Sequence, residues 1–497
     1  IGAYLRLARG SAAVIRAHKD ALVNPVLKTF FEAIRSSERS VEPYDSTVSL
    51  DAQQIFVKWL QKEGGATLTA QLCFDAAFQE VFTLLQSQAS RELAEACGLL
   101  ISTDLAHVVH LERVLVPVLQ QLEQAIAGAS GDGCIIEGVG VCLSICSFVC
   151  KGFSRKSTVG LLKTDKSGEI AKRLNGLLQS CLELCVKAVA ATPSDVAARS
   201  ALVTLIRSIL IITDFAALLP WIITAVEKIV VSVNRTAEAD GVVEMLELFG
   251  GFATRYKADI SPLIQLPGLL EAIVDISLQV AGPVSESGGR PRTPPAAVEG
   301  AAIRAGGHQL ALDEELSDKQ RDSRRVRNAL AYLIFWVTHA GITEPFVTEP
   351  MRQRLPAMCH AIALSCATPP IDHPHCKNGF SALATLVALW CDADAAAAEP
   401  FVCRALPRLC LQALLLPELK LSRKPGSAVV EVVAGLHLSA ATHYAAAFDQ
   451  VFVSLLGALG VSPHSDAAAQ AIAVVHGADK QAYGALLLQL VQHSKSR

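Results

Sequence analysis

Two clusters of basic residues have the types and spacing that could bind a polyanion. The first lies in the segment Lys151-Gly152-Phe153-Ser154-Arg155-Lys156. The second comprises Arg321, Arg324, Arg325 and Arg327. Lysine and arginine side chains on phosphates give sequence-independent, salt-sensitive affinity for nucleic acid. The same residues are also typical of a solvated helix face, or of a helix C-terminus whose dipole favours cations. The candidate RNA-binding residues are Lys151, Arg155, Lys156, Arg324, Arg325 and Arg327.

Smaller basic groups are scattered along the rest of the chain. The formal net charge is −3, so any polyanion site must be a local patch. Several such patches on one wall of a curved helical array would suit a structured RNA, because A-form RNA is recognised mainly by shape and backbone. These groups comprise Lys163, Lys166, Lys172, Arg173, Arg352, Arg354, Arg423, Lys424, Lys495 and Arg497.

The 14 cysteines fall mostly within apolar helical stretches. Cys142, Cys146 and Cys150 are spaced by four, as are Cys181 and Cys185, which places each set on one helix face. We expect them to pack as small hydrophobic residues in a reducing compartment. Cys142, Cys146 and Cys150 could supply soft metal ligands only if they faced a partner, so core packing is favoured. The segment 373–376, His-Pro-His-Cys, lacks a second cluster with ligand spacing, so a helix start is favoured over a zinc site.

Sequence motifs for enzymatic chemistry are lacking. Neither a phosphate-cradling G-x-x-x-x-G-K-[ST] loop nor G-x-G-x-x-G in a strand–turn–helix context occurs. Nothing resembles a nucleophile activated by a base and an orienting group. We therefore predict that the protein is not an enzyme and needs no cofactor.

Composition indicates a large, buried helical core. The chain has 497 residues, of which 51% are hydrophobic and 18% charged. It begins at Ile1 without the apolar core of a signal peptide, and we expect a fragment of a longer protein. The most apolar region, 201–233, is interrupted by Arg207, Asp214, Pro220 and Glu227, so we expect a buried helix pair and no membrane insertion.

Hydrophobic residues recur at helical spacing almost throughout. Leu174, Leu178, Cys181 and Cys185 mark one apolar face within 171–189, and a second amphipathic stretch follows over 194–213. Pro193 should end the first helix, and Ser194 or Asp195 should cap the second. Pairs of about 40 residues are typical of HEAT repeats, so we predict an all-α, HEAT-repeat α-solenoid, a superhelix of antiparallel helix pairs.

One segment interrupts the predicted array. Residues 283–295 are rich in proline and glycine and poor in apolar residues, and this character extends to about residue 320. We therefore predict helical repeats over 1–282, a flexible insert over 283–320, and further helical repeats over 321–497. A single stretch over 427–448 is predicted as helix in the last part.

Four collinear segments resemble the exportin-T family of tRNA export receptors in the importin-β (karyopherin) superfamily. Segment 151–156 is similar to the family's Lys-Ala-Phe-Ser-x-Lys, and 255–262 resembles its basic–aromatic–Lys–x–x–branched–Ser–Pro segment. Segment 377–390 is similar to Lys-x-x-Phe followed by Leu-Val-x-Leu-Trp, and 479–495 resembles the terminal helix with its basic tail.

The resemblance implies a specific function and cellular route. Members of this family are HEAT superhelices that bind tRNA together with Ran-GTP, pass through the nuclear pore on Phe-Gly nucleoporins, and so shuttle between nucleus and cytoplasm. The resemblance places their main Ran-binding surface N-terminal to Ile1. The alternative is a HEAT-repeat scaffold, or a karyopherin with a protein cargo, which would use the same fold without RNA.

Overall fold

The computed structural model describes residues 19–39, 43–61, 65–128, 136–282, 318–369, 373–421, 424–462 and 465–496. In these ranges the chain is all-α, with stacked helix pairs and no β-strand, which confirms the predicted fold class. Two compact units are present, Ile1–Thr236 and Ala237–Arg497. Most of the predicted insert, 283–317, lies outside the described residues, and the helix after it already begins at Asp318.

The first unit is built from helices that contact one another in consecutive pairs. Its pairs are α1/α2, α3/α4, α5/α6 and α8/α9, and the second members stack in the order α2, α4, α6, α9. The helices are α1 (Lys19–Arg39), α2 (Pro43–Gln61), α3 (Gly65–Gln88), α4 (Arg91–Ile101), α5 (Val109–Gly128), α6 (Ile136–Phe153), α7 (Lys156–Leu162), α8 (Glu169–Ala191), α9 (Val196–Ile209) and α10 (Phe215–Thr236).

Local sequence signals explain the boundary between α8 and α9. Leu174, Leu178, Cys181 and Cys185 are buried on one face of α8, as their spacing predicts. The Asp195 carboxylate accepts hydrogen bonds from the backbone N–H groups of residues 197 and 198, which satisfies two donors at the start of α9. Of the two predicted candidates, Ser194 and Asp195, Asp195 is therefore the residue that caps α9.

The second unit follows the same paired arrangement. Helices α11, α14, α17, α20 and α23 stack consecutively, and α13, α16 and α19 form a second row beside them. The helices are α11 (Ala239–Tyr256), α12 (Ser261–Ile264), α13 (Leu269–Ala281), α14 (Asp318–His339), α15 (Glu349–Arg352), α16 (Leu355–Ala367), α17 (His373–Ala393), α18 (Ala395–Glu399), α19 (Leu406–Leu415), α20 (Lys424–His443), α21 (Ala445–Ala458), α22 (Asp466–His476) and α23 (Lys480–Ser496).

The predicted single helix over 427–448 is wrong, because the chain breaks at Tyr444. This residue leaves the helical conformation, with φ −139° and ψ 46°, between α20 and α21. Its hydroxyl donates a hydrogen bond of 2.7 Å to the carbonyl oxygen of Ala395. Apolar residues continue at helical spacing through Tyr444, so the sequence pattern does not predict the break. The break accompanies a contact with a distant residue, Ala395.

Two of the described helices, α8 and α10, are long and apolar enough to cross a membrane by length and composition. Both also pack on other helices of the first unit: α8 contacts α5, α9 and α10. The opposite face of α8 carries exposed Lys172, Arg173 and Lys187. An exposed charged face opposite a buried apolar face is typical of an amphipathic helix. The absence of membrane insertion stays a prediction.

Candidate polyanion-binding site

The first basic cluster is positioned by an unusually close contact between α4 and α6. A Cβ atom built on Gly152 would lie 2.1 Å from the carbonyl oxygen of Glu95, and one on Gly98 would lie 2.1 Å from that of Val149. Only glycine allows the two backbones to approach this closely. The last turn of α6, with Lys151, is therefore held against the middle of α4.

Lys151 forms an ion pair with the neighbouring helix. Its Nζ donates to Oε2 of Glu95 at 2.9 Å, and Oε1 of Glu95 accepts from Nε2 of Gln61 at 2.7 Å. The same ammonium group lies 4.9 Å from the centroid of the Phe148 ring, within cation–π range. The charge of Lys151 is consequently balanced by a carboxylate that is buried beneath it.

Arg155 and Lys156 follow at the turn between α6 and α7. Arg155 is the residue before α7 and Lys156 is its first residue. Arg155 is half-buried and Lys156 is exposed. Neither side chain has a hydrogen-bond or ion-pair partner within the described ranges. These two cations are therefore uncompensated, unlike Lys151.

All three cations line one cleft of about 860 Å³, which we call the basic cleft. Its walls come from α2, the start of α3, α4 and the segment from the end of α6 through α7. Ser154 also lines it, and its buried Oγ has no hydrogen-bond partner among the described residues. Two uncompensated cations in one cleft can together receive the oxygens of a phosphate or another anion.

The second cluster, Arg324, Arg325 and Arg327, lies in the first turns of α14 and is largely engaged within the second unit. Nη1 of Arg324 donates to the carbonyl oxygen of Pro369 at 2.8 Å. Nη1 of Arg325 lies 2.7 Å from a carboxylate oxygen of Asp240, which raises the pKa of Arg325. Burial lowers the pKa of Arg327, whose Nε is buried without a partner in the described part of the chain. An anion would have to compete with these contacts.

Several smaller basic groups are also used in contacts within their own unit. Arg173 makes a bidentate pair with Glu112 at 2.6 and 3.1 Å, and Arg354 makes one with Asp275 at 2.5 and 2.6 Å. Nζ of Lys495 donates to the carbonyl oxygens of Leu416 and Leu419 at 2.7 and 3.2 Å. These three residues therefore stabilise helix packing.

The remaining basic groups are less tied to their surroundings. Arg352 is close to Glu349 at 3.9 Å, whereas Lys163, Lys166 and Lys172 are exposed on the first unit. Arg423 and Arg497 lie outside the described residues, and Lys424 is the first residue of α20.

A group of thiols is the feature that sequence reasoning missed. The Sγ atoms of Cys146 on α6 and of Cys181 and Cys185 on α8 all lie within 4.8 Å of one another. The spacing by four of Cys142, Cys146 and Cys150, and of Cys181 and Cys185, was the available signal, but it does not show that the two sets face each other. His373, by contrast, begins α17, which confirms the predicted helix start.

The features together define a class: an all-α protein of stacked helix pairs with a basic cleft in its first unit. No protein-family profile matches the chain, and no curated protein matches it significantly. A solved crystal structure of an engineered protein is similar at a TM-score of 0.28 and 12% identity, covering 94% of this chain and 98% of that chain. At this TM-score the likeness carries no argument about fold or function.

Proposed function

We propose that this chain is part of a tRNA nuclear export receptor of the exportin-T type, which binds tRNA cooperatively with Ran-GTP. The observation that carries the proposal is the presence of uncompensated Arg155 and Lys156 beside Lys151 in one cleft. The same three residues belong to one of the four collinear segments that resemble that family. The protein acts by binding and release, and no catalysis by this chain is involved.

The chemistry of the basic cleft suits the backbone of a folded RNA better than a base sequence. Cations bind phosphate oxygens, which are the same at every nucleotide. The close α4–α6 contact holds Lys151 in place beside Arg155 and Lys156, which suits a phosphate backbone of defined shape. The cleft can hold only a few phosphates, and it therefore contributes one part of a larger RNA surface.

Ran-GTP and the nuclear pore complete the proposed cycle. Cooperative binding means that Ran-GTP and tRNA each raise the affinity of the receptor for the other, by the same factor. Loss of Ran-GTP in the cytoplasm then releases the tRNA. The receptor shuttles between nucleus and cytoplasm through contacts with Phe-Gly nucleoporins, and the main Ran-binding surface is proposed to lie N-terminal to this chain.

Retention of tRNA by the full-length protein tests this function. Immobilised protein is incubated with tRNA in the presence and absence of Ran loaded with a non-hydrolysable GTP analogue. Retention that depends on Ran supports the proposal, and no retention under either condition contradicts it.

A charge-reversal variant tests the basic cleft separately from the function. Arg155→Glu/Lys156→Glu should weaken retention, whereas Lys187→Glu/Arg235→Glu, which makes the same charge change on α8 and α10, should not. Both control positions are exposed. If the wild type retains tRNA with Ran and both variants do so equally well, the function stands but the cleft is not the RNA site.

A HEAT-repeat scaffold, or a karyopherin with a protein cargo, is the second candidate. It is favoured by the use of other arginines within their own unit, as in the pairs Arg173–Glu112, Arg325–Asp240 and Arg354–Asp275. Those pairs leave fewer cations for a polyanion. Ran-dependent retention of a protein but not of tRNA in the same experiment would select this candidate.

A further inference from the structure

Two cysteine pairs face each other across α6 and α8. Cys146 and Cys150 are one turn apart on α6, and Cys181 and Cys185 are one turn apart on α8, so each pair projects from one helix face. All four side chains are buried. Sγ of Cys146, Cys181 and Cys185 lie within 4.8 Å of one another. Cys150 lies one turn from Cys146 on α6.

This spacing is close to that of a metal–thiolate site. Zinc binds thiolate sulfur at about 2.3 Å in tetrahedral geometry, which places neighbouring sulfurs about 3.8 Å apart. The three mutually close Sγ atoms therefore need to move by only about 1 Å to reach coordination distance. Cys150, one turn from Cys146 on α6, would supply the fourth ligand of a closed structural site, in which no position is left for water or substrate.

We propose that Cys146, Cys150, Cys181 and Cys185 form a structural zinc site that joins α6 to α8. Zn²⁺ displaces the thiol protons, so four neutral thiols and one ion become a tetrathiolate complex and four released protons. The site would also support the basic cleft, because Cys150 directly precedes Lys151 in the last turn of α6. The proposal does not depend on RNA binding.

Metal analysis of the full chain, purified under reducing conditions from zinc-supplemented cells, tests the site. We expect about one zinc ion per chain. Replacement of zinc by Co²⁺ should give the thiolate-to-cobalt charge-transfer band and the intense d–d bands of tetrahedral cobalt. Cys181→Ser/Cys185→Ser should lower the zinc content at least about tenfold and abolish both bands.

The control is Cys359→Ser/Cys410→Ser, which removes two other fully buried thiols, from α16 and α19. It should keep both zinc and the cobalt spectrum. A measurement on the wild type avoids the risk that a variant fails to fold. Removal of zinc by a chelator should lower the melting temperature, and re-addition of Zn²⁺ should restore it.

Three results would overturn the proposal. They are a folded wild-type protein that binds neither Zn²⁺ nor Co²⁺, a cobalt spectrum without sulfur charge transfer, and metal binding that persists in Cys181→Ser/Cys185→Ser. A disulfide among the four cysteines in protein purified under reducing conditions would overturn it as well, because disulfide sulfur is not a thiolate ligand.

Discussion

Nζ of Lys151 lies 2.9 Å from Oε2 of Glu95, in a pair whose lysine side chain is 47% exposed and whose carboxylate side chain is only 8% exposed. The two residues therefore depend on the pair unequally. Without Glu95, Lys151 would still be hydrated, whereas without Lys151 the buried carboxylate would keep only its hydrogen bond from Gln61. Lys151 thus supports the fold as well as any polyanion site.

The first prediction follows from this asymmetry. Lys151→Met keeps most of the apolar stem but leaves the buried Glu95 charge unpaired, so we expect a destabilisation of about 1–3 kcal/mol. Chemical denaturation of the full chain, followed by circular dichroism, measures it. Glu95→Gln in the Lys151→Met background should recover part of the loss, since an amide needs no counter-charge. Arg155→Ala/Lys156→Ala should change the stability by about 0.5 kcal/mol or less. Equal stability of Lys151→Met and wild type would contradict the prediction.

The second prediction concerns the close approach of α4 and α6. In Gly152→Ala the new Cβ would meet the Glu95 carbonyl oxygen at 2.1 Å and the Leu99 nitrogen at 2.9 Å, and both are backbone atoms. Because two helices must separate to accept the methyl group, we expect a destabilisation of about 1–3 kcal/mol or more. Hydrogen exchange should be faster in α4 and in the last turns of α6.

Gly176 supplies the matched control for that substitution. It is exposed within α8, and a Cβ there would meet nothing within 4 Å. Gly176→Ala should therefore stabilise the protein by about 0.5–1 kcal/mol, since alanine loses less entropy than glycine in a helix. A destabilisation of similar size in both variants would show that the α4–α6 contact is not specially tight.

Sequence patterns predicted the features that depend on neighbouring residues. The burial of Leu174, Leu178 and Cys181 on α8 follows from helical spacing, and the cap at Asp195 follows from a local backbone hydrogen bond. Each helix carries its own apolar stripe, so the fold class could be predicted without knowledge of how the helices meet.

Features that depend on residues far apart in the chain could not be predicted in this way. Glu95 and Lys151 are 56 positions apart, and nothing in either segment indicates which face of α4 meets α6. The same holds for Arg325 with Asp240, and for the thiols of α6 and α8. The sequence identified the basic residues by their type, but only the structure shows which of them are paired with other residues.

The third prediction concerns stability against pH. His437 is 2% exposed, its Nδ1 lies 2.7 Å from the Tyr483 hydroxyl, and its Nε2 is buried without a partner in the described ranges. Burial lowers the pKa of His437 from 6.5 to about 4. As pH falls below 6.5, the unfolded chain takes up the proton first, so stability is lost between pH 6.5 and 4 and not further below. The full loss from this residue is about 3 kcal/mol.

His437→Gln isolates this contribution, because glutamine can hydrogen-bond to Tyr483 without titrating. Other groups also titrate in this range, so the informative quantity is the difference in unfolding free energy between wild type and variant at each pH. The free energy of unfolding of the wild type minus that of the variant should fall as pH drops from 6.5 to 4. A difference that stays constant over that interval would show that His437 is not the titrating group.

The fourth prediction rests on the proposed function and concerns the salt dependence of tRNA binding by the full-length protein in the presence of Ran-GTP. Each phosphate contact contributes about 0.7–0.9 to the slope of log K against log salt, so Arg155→Ala/Lys156→Ala should reduce its magnitude by about 1.4–1.8. Fluorescence anisotropy of labelled tRNA across a salt series measures the slope. Lys187→Ala/Arg235→Ala should leave it unchanged. An affinity that falls equally at every salt concentration would mean that the variant alters the fold and not phosphate contacts. A smaller slope in this variant would therefore show that Arg155 and Lys156 contact phosphates directly.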